Sequence, residues 1–178
     1  IYTADHGMAF PGGKTTVYEA GLRVPFIVRH PEAKKRGVVN NAMISHVDIT
    51  PSILDLAKAY DPERRAPLKL ISVAKVPSGE NGGKPAKAYH GRSWVPILEE
   101  ANPKDWNEIG ASHTFHEIQM YYPMRVVRDR KYKLIWNIAW RQPYPFASDL
   151  WRASTWQAQF AKGAEAPYGK RTVDSYIN

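Results

Sequence analysis

The sequence predicts an α/β fold, and three stretches predict it. Ile1-Tyr2-Thr3 has strand character and breaks at Asp5-His6-Gly7. Leu22 to Val28 carries a near-continuous apolar run (Val24, Phe26, Ile27, Val28) of the kind that suits a strand covered on both faces. Asp48 to Tyr60 reads as a helix: Asp48 or Thr50 can cap it, Pro51 suits its first turn, and Ile53, Leu54, Leu56 and Ala57 fall on one face.

The opening stretch carries the chemistry. In α/β sheets, ligand groups collect where the carboxyl ends of strands meet loops. Asp5 offers hard oxygen ligands there, and a neutral His6 offers a ring nitrogen. Lys14 follows on the glycine-rich loop Phe10-Pro11-Gly12-Gly13, with a flexible stem and a point charge suited to an anionic group. A metal, an anion clamp and a loop between them point to hydrolysis of a phosphate or sulfate ester. The same Asp-His-Gly also fits a plain turn, with Asp bonding its own backbone and Gly at positive φ.

Further along, His30-Pro31 ends the second strand, since Pro disfavours its continuation. Glu32 to Asn41, with Lys34, Lys35 and Arg36, reads as a solvated loop. His46 and Asp48 precede the helix and fit either a catalytic pair or capping and core contacts. Asp61 to Ala88 is rich in Pro, Gly and Lys, lacks periodicity and reads as a long surface excursion. Arg92 to Glu100 reads as a short helix or turn that packs Trp94, Val95, Ile97 and Leu98.

Ala111 to Asn137 is a candidate antiparallel unit. Met124 to Arg128 alternates, Asp129-Arg130 turns, and Tyr132 to Trp136 returns. Just before it, His113 and His116 stand three apart with Glu117 adjacent, which differs from the zincin pattern His-Glu-x-x-His. Trp140 to Phe146 is an aromatic, Pro-rich ordered loop. Ser148 to Lys162 reads as one helix whose Leu150, Trp151, Trp156 and Phe160 form a core stripe or a sugar platform.

At 178 residues the chain is long enough for a domain with a real core. Its net charge of +8 favours acidic partners: nucleic acid, anionic membrane or a sulfated polymer. Zinc-finger spacing, an RNP-like stretch and an Arg-rich helix are all absent, which argues against nucleic acid. No apolar run approaches a membrane span, which argues against a membrane. With no Cys, disulfides and thiol catalysis are excluded.

Thr3-Ala4-Asp5-His6-Gly7, followed by Gly13-Lys14-Thr15-Thr16-Val17-Tyr18-Glu19-Ala20-Gly21-Leu22-Arg23-Val24-Pro25, resembles the second half of the sulfatase family. Ser45 to Ala57 is similar to the family's helix after the next strand, and Gly91-Arg92-Ser93-Trp94 to its Gly-Arg-Ser-Leu segment. His116 to Val127 and Pro143 to Ala147 are similar to the heparan N-sulfatase branch of that family. The resemblance implies part of an alkaline-phosphatase-like fold. Residues 1–110 would close the large mixed-sheet catalytic domain, and residues 111–178 would belong to a smaller antiparallel-sheet and helix subdomain. It implies that Asp5 and His6 ligate a divalent metal, calcium by preference, that Lys14 is catalytic and binds the sulfate, and that His116 and Glu117 border the substrate. For these last two, a satisfied buried His–Glu pair is the other reading. It places His46 and Asp48 in structural roles. The expected substrate is a sulfated saccharide of heparan type, with an O-sulfated sugar, a phosphate or phosphonate ester, or simple binding of an anionic polysaccharide as alternatives. Export to a periplasmic, extracellular or lysosomal compartment and a homodimer also follow from the resemblance alone. The family's formylglycine nucleophile arises within Cys/Ser-x-Pro-x-Arg, which this sequence lacks, as it lacks the family's amino-terminal Asp-Asp pair. The expectation is therefore a segment of a larger enzyme.

Overall fold

In chain order the elements are β1 (Tyr2–Thr3), α1 (Glu19–Leu22), β2 (Phe26–Ile27), α2 (Ile49–Leu56), β3 (Tyr60–Asp61), β4 (Ala66–Pro67), β5 (Ile109–His113), β6 (Met124–Arg128), β7 (Lys133–Asn137), α3 (Ser148–Trp151), α4 (Ser154–Phe160), β8 (Pro167–Tyr168) and β9 (Arg171–Thr172). Single 3-10 turns lie at His46–Asp48, Val95–Ile97 and Asp174–Tyr176. This computed structural model describes residues 1–63, 66–67, 88–117 and 120–178. Most of the excursion predicted for Asp61 to Ala88 therefore lies outside the described residues. The described residues group into two compact units, 1–30 with 110–178, and 31–109. The sequence places a boundary after residue 110, whereas residues 1–30 group with residues 110–178 across it.

In the first unit, β1 and β2 pair antiparallel with Tyr2 opposite Ile27 and Thr3 opposite Phe26. The strand predicted over Leu22 to Val28 is cut to these two residues. Its amino end is helical instead: Leu22 N–H donates to Tyr18 O at 3.0 Å and Arg23 N–H to Glu19 O at 2.8 Å. Ile27 is exposed, so the run is not covered on both faces. An apolar run without periodicity cannot distinguish a helix turn from a strand, and here hydrogen bonding splits it between the two.

The predicted antiparallel hairpin is present. β6 and β7 pair from Met124 opposite Asn137 to Arg128 opposite Lys133, and β5 completes a three-stranded sheet in the order β5-β6-β7. Asp129 makes the turn, its Oδ1 accepting from the N–H groups of Lys131 and Tyr132. Alternation sends Met124 and Val126 inward, where they pack with Val17 and Tyr122. Glu19 on α1 ties to the hairpin through Arg128 and through Lys133 Nζ at 3.0 Å. Partial burial opposes the charge of Glu19, but the bonds from Lys133 and Arg128 outweigh it and hold the carboxyl below its ordinary value.

The single helix predicted for Ser148 to Lys162 is two helices. Ala153 is extended, with φ −57° and ψ 125°. Leu150 and Trp156 are both fully buried, yet in different clusters: Leu150 with Met120 and Ala147, Trp156 with Ala166 and Val173. Six residues apart on one straight helix, they would point about 120° away from each other. The break lets both be buried.

In the second unit, α2 is shorter than predicted and stops at Leu56, with Lys58 in the left-handed region at φ 56° and Tyr60 already in β3. Its buried face is Pro51 and Ser52; Ile53 is exposed, against expectation. The reason is hydrogen bonding. Ser52 Oγ donates to Asp48 O at 2.6 Å and accepts from Trp94 N–H at 2.9 Å, which pins the helix against buried Trp94 and Ile97. Asp48 is buried and caps: Oδ2 accepts from Ser45 N–H at 2.8 Å and Oδ1 from Arg92 N–H at 2.9 Å. His46 is exposed in the turn before it. Among the described residues no helix is long and apolar enough to cross a membrane.

Trp156 is ringed by Phe146, Phe160, Tyr168 and Tyr176. In the full-length protein, Trp156→Ala should destabilise by about 3–5 kcal/mol, and Ile53→Ala by far less. Denaturant unfolding checks both, and equal losses would contradict this core assignment.

Candidate active site

Asp5 and His6 sit just past the end of β1, as the sequence predicts. Asp5 Oδ1 accepts from the His6 N–H at 3.0 Å, which is the local turn of the plain alternative. The other atoms exceed what a turn needs. His6 Nδ1 lies 2.7 Å from Gly7 O. A carbonyl only accepts, so Nδ1 carries the proton, and in the neutral ring Nε2 keeps its lone pair. That Nε2 is 3.3 Å from Asp5 Oδ2, whose side chain is 86% exposed. With the ring neutral, two electron-pair donors stand side by side and open to solvent; with it protonated, the same two atoms make an ion pair. At a right angle, a zinc-sized cation about 2.1 Å from each ligand separates them by about 3.0 Å, and a calcium-sized one about 2.4 Å from each by about 3.4 Å. The pair therefore fits two positions on one cation. Among the described residues, no group of three or more His, Asp and Glu side chains gathers to hold a metal.

Glycines let the loop after this turn pack tightly. A Cβ on Gly7 would lie 1.6 Å from Ala20 O, and one on Gly13 2.5 Å from Met8 O. The Lys14 N–H donates to Met8 O at 3.0 Å, two residues past His6, so the loop folds back on the turn. Thr15 follows at φ 66°. For a β-branched residue this is a true outlier, costing about 1–3 kcal/mol and kept only where neighbours enforce it.

Lys14 Nζ donates to Asp149 Oδ2 at 2.6 Å; the lysine side chain is 15% exposed and the aspartate 46%. This pairing holds the Asp149 carboxyl below its ordinary value. Beside it, Glu117 Oε1 accepts from Ser148 Oγ at 2.8 Å and from Ser148 N–H at 3.1 Å. These two bonds also hold Glu117 low, against repulsion from Asp149. The first turn of α3 therefore brings together Lys14 and Glu117, two of the residues singled out from sequence. His116 is exposed and its charge acts on Glu117. The buried His–Glu pair is thus corrected: the bonds of Glu117 go to Ser148. His113 ends β5, with Nδ1 2.9 Å from Tyr122 O.

Sequence reasoning missed two residues of this neighbourhood. Asp149 lies within the helix read over Ser148 to Lys162, and its partner is 135 positions away. Tyr144 read as part of an aromatic loop. Its hydroxyl donates to Thr15 O at 2.8 Å and lies 2.6 Å from Thr15 Oγ1. Burial above all pushes this phenol up to about 12, against the lowering effect of the Thr15 bond.

Known proteins share these stretches. The sulfatase family model matches residues 1–59. The chain is 35% identical to the N-sulphoglucosamine sulphohydrolase of Homo sapiens over 158 residues, 88% of this chain and 28% of that protein. It is 30% identical to the ulvan-active sulfatase of Formosa agariphila over 77% of this chain and 22% of that protein. It is 29% identical to the N-acetylglucosamine-6-O-sulfatase of Bacteroides thetaiotaomicron over 76% of this chain and 21% of that protein. The chain thus spans less than a third of these relatives' length.

The lowered carboxyls set a pH dependence. Both are depressed on folding, so their bonds stabilise fully above the ordinary values of 4.5 for Glu117 and 3.8 for Asp149. That stabilisation is lost as the pH falls through the lowered folded values. In the full-length protein, Glu117→Gln and Asp149→Asn should each flatten the acid-side decline of Tm, and salt should weaken the effect. Acid slopes identical to wild type would show that these bonds do not form in solution.

Proposed function

The chain belongs to the sulfatase family, and from that premise we propose that it forms one side of the metal and anion site of a hydrolase for sulfate esters or sulfamates. Family membership implies an alkaline-phosphatase-like fold, use of a metal ion and formylglycine, and action on sulfated saccharides. The proposed substrate is the N-sulfate of glucosamine in heparan-type chains. This is supported by similarity along 88% of the chain to a protein named N-sulphoglucosamine sulphohydrolase. The second reading, an O-sulfatase, is supported by the likeness to an N-acetylglucosamine-6-O-sulfatase. Export follows from the family resemblance.

The observation that carries this reading is the juxtaposition of Asp5 Oδ2 and His6 Nε2, 3.3 Å apart just past the end of β1. Asp5 and His6 would hold a divalent cation, calcium being the ion that the family resemblance implies. When bound, that cation supplies positive charge against the sulfate oxygens. Lys14 adds a fixed ammonium for the same anion. Asp149 confines the lysine stem through its contact with Nζ, which limits the reorganisation needed when the sulfate arrives. His116 and Glu117 border the saccharide. The Nδ1–Gly7 bond selects the tautomer of the neutral His6 ring in which Nε2 is the free nitrogen. The nucleophile lies outside this sequence.

Two measurements on the full-length protein test the reading. Asp5→Ala should remove most bound metal by elemental analysis; wild-type metal content would take Asp5 out of the site. Lys14→Ala should lower kcat/KM by about 10² or more on a sulfated substrate, and a near-normal rate would remove Lys14. Rates on N-sulfated, O-sulfated and phosphorylated sugars then separate the substrate readings.

A further inference from the structure

Lys14 is gripped at both ends by one short segment. Its ammonium meets Asp149 at 2.6 Å. The residue after it, Thr15, meets Tyr144, five positions before Asp149. Three short contacts surround the Thr15 hydroxyl and the phenol: Thr15 Oγ1 to Lys14 O at 2.6 Å, Thr15 Oγ1 to Tyr144 Oη at 2.6 Å, and Tyr144 Oη to Thr15 O at 2.8 Å. The two carbonyls only accept, so both hydroxyl protons are directed into this knot. The phenol is itself held firmly. Its ring stands edge-on to Tyr122 at 5.3 Å and to Phe146 at 5.5 Å, and the Tyr144 N–H donates to Ile177 O at 2.7 Å. The clamp closes on a residue whose backbone, at φ 66°, a β-branched side chain disfavours.

We propose that Tyr144 is a positioning residue: its hydroxyl holds Thr15 in the left-handed conformation and thereby aims Lys14 at the substrate anion. This rests on the reading of Lys14 as the anion-binding residue. Without the clamp, Thr15 relaxes toward an ordinary backbone conformation. The Lys14 Cα–Cβ direction then turns away from the position Asp149 fixes. Tyr144 touches no reacting atom, so its effect passes wholly through the backbone of residues 14 and 15.

The test uses the full-length protein and a sulfated chromogenic substrate. Tyr144→Phe keeps the ring and removes the hydroxyl; kcat/KM should fall about tenfold, as a small misplacement of a charged group does. Adding Thr15→Gly to that variant should restore the rate to within about threefold of wild type, because glycine holds positive φ without help. A ring that served only packing would not be rescued this way. Tm is measured for each variant, so that the rates compared come from folded protein. The proposal is overturned if Tyr144→Phe keeps the wild-type rate, or if the double variant is as slow as Tyr144→Phe alone. Lys14→Ala runs alongside. If it is slow while Tyr144→Phe is normal, only the positioning role fails. If Lys14→Ala is itself normal, the anion-binding reading fails first.

Discussion

The ion pair between Lys14 and Asp149 is the constraint on which the candidate site depends. The lysine side chain is mostly buried, and a buried ammonium without a partner is strongly unfavourable. Asp149 therefore does more than join two side chains. It ties the loop that follows β1 to the first turn of α3, across 135 positions of sequence. Ser148, its neighbour, ties the same turn to Glu117. Three stretches that are distant in the chain thus converge on two consecutive residues. Two carboxylates end close together there, and the Lys14 ammonium and the Ser148 donors offset their repulsion.

Local rules decide the features that could be read from the sequence. The Met124–Asn137 hairpin was legible because its alternation and the Asp129 turn specify pairing and register without outside help. The Asp5-His6-Gly7 turn was legible because Asp bonds the following backbone there; the roles expected of Asp5, His6 and Lys14 came from the family resemblance. Asp48 was legible in its structural role because its capping partner, Ser45, is three residues away. The features that could not be read depend on partners far along the chain. Nothing at Arg152-Ala153 marks a helix break; the burial of both Leu150 and Trp156 forces it. The inward face of α2 follows Ser52 because Trp94, 42 positions away, offers it an N–H. Asp149 and Tyr144 were invisible as site residues for the same reason, since each acts on a loop more than a hundred positions away.

The two halves of the candidate site differ in rigidity, and this has a chemical meaning. Around Lys14 almost every polar group is committed. Met8 O holds the Lys14 amide, Thr16 Oγ1 bonds Gly13 O at 2.8 Å, and Tyr144 closes on Thr15. Around Asp5 the side chain is open, and only the near oxygen serves the turn. A charge that must meet an anion with little reorganisation belongs on the committed side. A carboxylate that must accept a hydrated cation belongs on the open side.

That openness also bounds what Asp5 and His6 can do alone. Calcium takes six to eight oxygen ligands, and this pair offers one oxygen and one nitrogen. Two donors hold such a cation weakly, because most of its hydration shell stays in place. The remaining positions must be filled by groups beyond the described His, Asp and Glu side chains, which form no larger cluster. Under the proposed reading, metal affinity is therefore a property of the assembled site and not of this pair. The His6 nitrogen also makes this half of the site less selective for calcium than an all-oxygen pair, since imidazole suits transition metals as well.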